Sequence, residues 1–154
     1  MSAHPLAHGL AILRAARAGD RAAIERLLAE SALPTAGVEA ALAGFVVAEE
    51  RGTIVGAAGL EPAAPYALLR SVVVASSWRG TGLGATLVRR LLADADSRDV
   101  PAVYLLTTTA ERWFPRFGFA PVTRNRVPDS VRATGEYREG CPATAIVMRR
   151  SRPR

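Results

Sequence analysis

The chain has 154 residues, 49% of them hydrophobic and 22% charged, enough for one domain with a core that needs neither disulfide nor metal. A single cysteine, Cys141, excludes an internal disulfide and fits a reducing, cytoplasmic setting; no apolar run approaches the roughly 20 residues of a membrane span, and residues 1–13 show no apolar signal-peptide core. The net charge of +6 is carried by arginine alone, scattered along the chain with only 6% aromatics, a pattern that argues against nucleic acid and for attraction of a phosphate-rich small ligand.

In chain order, residues 9–14 read as a short first strand. Asp20 reads as an N-cap, with Ile24, Leu27 and Leu28 at helical spacing behind it. Pro34 opens a second short helix carrying Val38, Leu42 and Phe45. Residues 45–49 and 53–60 form a hairpin around Arg51-Gly52. Pro62 and Pro65 mark a loop before a buried strand over 68–75. Gly80, Gly82 and Gly84 make a turn into a helix ending near Arg98, with Leu83, Leu87, Val88, Leu91, Leu92 and Ala95 on one face. Residues 103–107 are the next buried strand. Residues 111–117 form a short helix stopped by Gly118. Val122 begins a strand, 126–140 is irregular, and 143–149 is the last strand. This order predicts one α/β (α+β) domain over 1–150, a mixed and mostly antiparallel sheet with helices on both faces, followed by a solvated basic tail at 151–154.

The chemistry concentrates where the central strand meets the glycine turn. A helix start offers unpartnered N–H groups and the positive end of the helix dipole to an anion. Arg79 adds a charge able to pair with phosphate. A P-loop requires a lysine, and the chain has none. Gly80-x-Gly82-x-x-Ala85 approaches the dinucleotide fingerprint, but the following strand ends in Thr107-Thr108-Thr109 rather than an acidic residue, and too little chain remains for a doubly wound sheet. Arg79-Gly80-Thr81-Gly82-Leu83-Gly84 fits the acyl-CoA loop R-x-x-G-x-G in full.

With Val72-x-Val74 before that loop and Phe117-Gly118-Phe119 after it, most of the chain resembles the GNAT acetyltransferase superfamily. The resemblance implies an N-acetyltransferase with acetyl-CoA as co-substrate and no metal; no His, Cys or Asp cluster has metal-ligand spacing. It implies coenzyme A binding by Val72, Val73, Val74, Arg79, Gly80, Thr81, Gly82, Leu83, Gly84, Thr107 and Phe114, with the Val74 amide as oxyanion donor. Phe114 stands where the family's tyrosine acid is usual, and Thr107 where an asparagine is common. Tyr104, Tyr137 and Cys141 are substitute acids, or the thiolate leaves unaided. Gly59-Leu60-Glu61, Leu68-Leu69-Arg70-Ser71, Thr107-Thr108-Thr109-Ala110-Glu111 and Cys141-Pro142 resemble the arsenic-resistance-associated N-acetyltransferases, which implies an arsinic or phosphinic amino acid as acceptor.

Glu61, Glu111 and Glu136 are the candidate bases, Glu61 first because it ends a strand at the substrate edge. Arg70, on an otherwise apolar strand, either binds an anionic substrate group, with Ser71, Glu61 and Glu111 nearby, or forms a structural ion pair with Glu61 or Glu49. Arg124, Arg126 and Arg132 belong to a segment that could cover the site. The partner expected is a small-molecule amine, with no nucleic acid and no membrane; a homodimer is expected on superfamily grounds alone. Phe114 keeps open a non-catalytic acyl-CoA-binding regulatory module, and a protein N-acetyltransferase is the third reading.

Overall fold

The computed structural model describes residues 9–139 and 143–154. His4, His8 and Cys141 lie outside the described residues. Seven strands form one sheet: β1 (Ile12–Ala15), β2 (Phe45–Glu50), β3 (Thr53–Ala63), β4 (Tyr66–Val74), β5 (Ala102–Thr107), β6 (Ala120–Val122) and β7 (Ile146–Ser151), in the order β1-β2-β3-β4-β5-β7-β6. Every neighbouring pair is antiparallel except β4 and β5. The helices are α1 (Arg21–Glu30), α2 (Val38–Ala41), α3 (Leu83–Ser97), α4 (Asp129–Arg132) and α5 (Gly135–Glu139). None is long and apolar enough to cross a membrane.

Alternation along the strands divides the core. Val46, Ala58, Leu60, Leu69 and Leu105 face α3, whose Leu83, Leu87, Val88, Leu91, Leu92 and Ala95 are all buried. At roughly 1.5–3 kcal/mol for each large apolar side chain removed from water, this stripe anchors the helix. Val47, Ala57 and Val73, one residue out of phase, face Ile24, Leu27 and Leu28 of α1 and Val38 of α2. Further along the sheet, Leu68, Tyr104 and Val147 pack with Val131 of α4.

Several boundaries differ from the sequence reading. Asp20 does not cap α1 with its side chain: the carboxylate accepts the Arg17 N–H at 2.7 Å within a 3₁₀ turn and pairs with Arg14 at 2.7 Å. That Arg14 hydrogen bond is the main reason its pKa lies below the ordinary range. The second helix starts at Val38, after Gly37, rather than at Pro34. Pro62 lies within β3, which runs to Ala63. Residues 114–117 form only a 3₁₀ turn closed by Gly118, and Val122 ends β6 rather than beginning it. The 126–140 stretch, read as irregular, contains α4 and α5. The last strand reaches Ser151; Arg150 pairs with Asp96 at 3.0 Å and Arg152 with Asp99 at 2.9 Å, and residues 151–154 are exposed.

Candidate active site

β4 carries the irregularity on which the site depends. Gly59 pairs with Arg70 but Ala57 with Val73, so β4 holds one extra residue there, and Ser71 takes φ +59°. Before this bulge, Ala67, Leu68 and Leu69 pair in parallel with Val103, Tyr104 and Leu105. After it the pairing stops and the strands diverge. A cleft of about 690 Å³ opens between them, lined by Leu69 to Val74 on one wall and Leu105 to Ala110 on the other. The Ala75 N–H donates to Val55 of β3 at 2.8 Å. Since consecutive residues of a strand turn their N–H groups to opposite edges, the Val74 N–H points away from β3 and into the cleft.

The glycine turn stands at the end of that edge. Arg79 and Gly84 line the cleft, with Gly80, Thr81 and Gly82 forming the turn and Leu83 opening α3 between them. The Thr81 hydroxyl donates to the Trp78 carbonyl at 2.5 Å and tightens the turn. Gly82 has φ +86° and precedes the first residue of α3, a 15-residue helix whose first-turn amides lack intrahelical partners. An alanine at 82 meets no clash but must adopt a left-handed conformation, at about 1 kcal/mol. Gly82→Ala is expected to leave the fold intact and weaken acetyl-CoA binding several-fold, as read by calorimetric titration.

Aromatic and hydroxyl groups complete the middle. Phe114, buried, packs edge-on against Trp113 at 5.0 Å and Phe119 at 5.9 Å, and both Phe114 and Trp113 line the cleft. Thr107 lines it as well, its hydroxyl accepting the Ala110 N–H at 2.9 Å. Tyr104 is not in the lining: it packs edge-on to Tyr66, and its hydroxyl accepts from Arg149 at 3.1 Å. Tyr137 is likewise outside the lining, beside Arg124 at 3.5 Å.

At the opposite end lies Arg70, 2% exposed, where the α1–α2 side of the sheet meets the α4–α5 side. Its guanidinium donates to the Ala36 carbonyl at 2.5 Å, the Ser71 hydroxyl at 3.0 Å and Glu61 Oε1 at 3.1 Å. Its Nε also lies 3.9 Å from Glu136 Oε1. Gly37 is required here twice over: its φ is +80°, and a Cβ would sit 2.9 Å from the Arg70 Nη1. Glu61 is outside the cleft lining. Its second oxygen, Oε2, accepts the Gly135 N–H at 2.7 Å, tying β3 to the start of α5. Glu136, one residue on, does line the cleft and is 7% exposed. Burial pushes its pKa up to about 7; Arg70 opposes the rise and Glu61 adds to it. Glu111 is exposed and outside the lining, and Arg126 and Arg132 are exposed too.

Sequence reasoning did not anticipate the wall formed by Ser31, Ala32, Leu33 and Pro34 after α1, nor Trp113. Trp113 carried a usable signal, an aromatic beside Phe114; the 31–34 loop carried none.

The family model for the acetyltransferase (GNAT) domain matches residues 41–121, just over half of the chain. The chain belongs to the GNAT acetyltransferase family. Its mixed sheet, split at β4 and β5, is the GNAT fold. Among similar curated proteins, an amino-acid acetyltransferase from Ralstonia nicotianae is 32% identical over 97 residues, 62% of this chain and 22% of its own length. An amino-acid acetyltransferase from Escherichia coli K12 is 26% identical over 95 residues, 60% of this chain and 21% of its own. The match thus spans about a fifth of the length of these relatives. An N-acetylglutamate synthase from Neisseria gonorrhoeae, solved with coenzyme A and N-acetyl-glutamate, shares the fold with a TM-score of 0.80 at 22% identity, over 95% of this chain and 36% of that one. Rv2747 from Mycobacterium tuberculosis, solved with CoA, is similar in size: the TM-score is 0.75 at 25% identity, over 91% of this chain and 98% of that one.

Proposed function

We propose that this GNAT domain transfers an acetyl group from acetyl-CoA to the amine of a small, anionic, amino-acid-like molecule. The observation that carries the reading is the cleft between β4 and β5, which has an unpaired strand edge and a helix start at one end and a buried arginine with a carboxylate at the other. The pantetheine arm lies along Val72, Val73 and Val74, pairing with the cleft-side backbone groups of Val72 and Val74, since Val73 pairs with Ala57 of β3. The pyrophosphate sits at the turn from Arg79 to Gly84, where first-turn amides of α3 without intrahelical partners and one guanidinium meet it. The Val74 N–H stabilises the oxyanion as the amine attacks the thioester carbon. Phe114 packs against the arm but has no proton to give; a thiol of pKa near 8.5 leaves as the thiolate without help.

Arg70 and Ser71 receive the acceptor's anionic group. The amino-acid acetyltransferases among the similar proteins support a carboxylate there. An arsinic or phosphinic acid is the finer alternative, implied by the Leu68-Leu69-Arg70-Ser71 and Thr107-Thr108-Thr109 resemblance. A protein N-terminus is less favoured, because two buried charged side chains, Arg70 and Glu136, line the cleft and suit a small charged acceptor.

The test is calorimetric titration with acetyl-CoA, then thiol release on adding α-amino acids, amino-phosphinic acids and amino-arsinic acids. Binding in the micromolar range and thiol release with an acidic acceptor are expected. Absent acetyl-CoA binding overturns the reading. Binding without release from any acceptor favours a regulatory acyl-CoA-binding module.

A further inference from the structure

The family match ends at residue 121, and the C-terminal segment beyond it supplies the one carboxylate among the described lining residues of the cleft, Glu136 on α5. Glu136 does not float there. Its neighbour Gly135 donates its N–H to Glu61 of β3, and Glu61 is paired with Arg70 of β4, which reaches both Ser71 at the bulge and Ala36 before α2. The cluster therefore joins α5, β3, β4 and the segment before α2 at the acceptor end of the cleft, and each oxygen of Glu61 is occupied. The charged groups facing Glu136 are Arg70 on β4 and Glu61 on β3. One cation serving two carboxylates cannot neutralise both fully, and Glu136, with the longer 3.9 Å contact, is the less satisfied of the two.

Resting on the transferase reading above, we infer that Glu136 is the general base of this site and that Glu61 is a positioning residue that holds α5 so the Glu136 carboxylate faces the acceptor. The step balances as follows. The acceptor's ammonium N–H breaks and its proton passes to a Glu136 oxygen. The nitrogen lone pair forms the bond to the thioester carbon, the C–S bond breaks, and sulfur leaves with its electron pair. The proton still on nitrogen neutralises the thiolate, and Glu136 returns its own proton to solvent. A base whose pKa lies near neutrality is suited to this exchange: it is ionised often enough to accept, yet basic enough to take the proton.

The test is the pH dependence of kcat/KM for the acceptor, read from thiol release, in wild type, Glu136→Gln, Glu136→Asp and Glu61→Gln. In wild type it rises tenfold per pH unit to a midpoint near 7 and then levels. Glu136→Gln is expected to lose about a hundredfold at pH 7 with acetyl-CoA affinity unchanged. Its deficit should narrow as pH approaches the acceptor amine's own pKa, because a neutral amine needs no base, and Glu136→Asp should recover part of the rate. Glu61→Gln frees Arg70 for Glu136 and should move the wild-type midpoint to lower pH while lowering kcat, a displacement that loss of packing alone does not produce. A Glu136→Gln profile parallel to wild type at every pH overturns the base while leaving the transferase intact. Acetyl-CoA binding without thiol release from any acceptor overturns both.

Discussion

Replacing Arg70 by leucine is expected to cost about 3–5 kcal/mol of stability, the range for removing one partner of a buried ion pair. The reason is electrostatic rather than steric, since leucine suits the apolar strand around it. The Arg70 side chain is fully buried, and without it Glu61 and Glu136 stand close together with no cation between them. The Ala36 carbonyl and Ser71 hydroxyl lose a donor as well. Against a typical domain total of about 5–15 kcal/mol, that is a large fraction. Urea or thermal unfolding measures it directly. Two refinements separate lost charge from lost packing. Arg70→Leu combined with Glu136→Gln should recover part of the loss, because one orphaned carboxylate is gone. The single variant should also recover toward pH 5, where Glu136 is protonated. A cost below about 1 kcal/mol, unchanged by either refinement, would mean that the guanidinium serves only the ligand.

The second large effect has the opposite sign. Glu136→Gln is expected to stabilise the protein at pH 8 by roughly 3 kcal/mol while slowing the reaction. An exposed glutamate has a pKa of 4.5, whereas burial holds Glu136 near 7, with Glu61 adding to the rise and Arg70 opposing it. Below pH 4.5 the side chain is protonated in folded and unfolded chains alike and its ionisation contributes nothing. Between 4.5 and about 7 the unfolded chain gives up this proton first, so folding stability falls as pH rises, by about 1.4 kcal/mol per pH unit. Above about 7 the loss is complete and constant. Glutamine has no such titration. Wild type and variant should therefore unfold together near pH 4.5 and separate as pH rises to 7.5. Equal stability of the two at pH 8 would show that Glu136 carries no ionisation penalty. The gain in the variant is what a strained functional carboxylate predicts, since the fold bears the cost of keeping a base out of water.

Both effects depend on one assembly: Arg70 is stable because Glu61 and Glu136 surround it, and Glu136 is basic because burial desolvates it and Arg70 only partly opposes that rise. The same assembly fixes the reach of the cleft, since Ala36, Arg70 and Gly135 bring the α1–α2 connection and α5 to the same point.

Much of this molecule follows from local pattern. The stripe from Leu83 to Ala95 matches the face that α3 buries, because a 3.6-residue period with apolar side chains has one way to lie on a sheet. The β2–β3 hairpin follows from Arg51-Gly52, both with positive φ, between two apolar runs. The glycine turn before α3 is legible because Gly80 and Gly82 take positive φ, which favours glycine at those offsets. The sequence also marks Arg70 as anomalous, since a cation on an apolar strand must have partners.

What it does not specify is which partners. Glu61 and Glu49 were both at hand; the hairpin register sets Glu61 across from Leu68, within reach of Arg70, while Glu49 pairs with Arg14. The bulge at Ser71, between Leu68-Leu69-Arg70 and Val72-Val73-Val74, has no local signature that distinguishes it from a continuous strand. It is the divergence of β4 from β5 that turns a core strand into the edge of a cleft. The helical character of 129–139 is hidden for a related reason: α4 and α5 have four and five residues, too few for a periodic stripe, and they are held by Val131 in the core and by Gly135 on Glu61 rather than by their own propensity. Glu136 reads in sequence as one carboxylate among three. Only the docking of α5 over β4 buries it, places it in the cleft and raises its pKa, because desolvation and the field of Arg70 and Glu61 are properties of assembled neighbours and not of any stretch of chain.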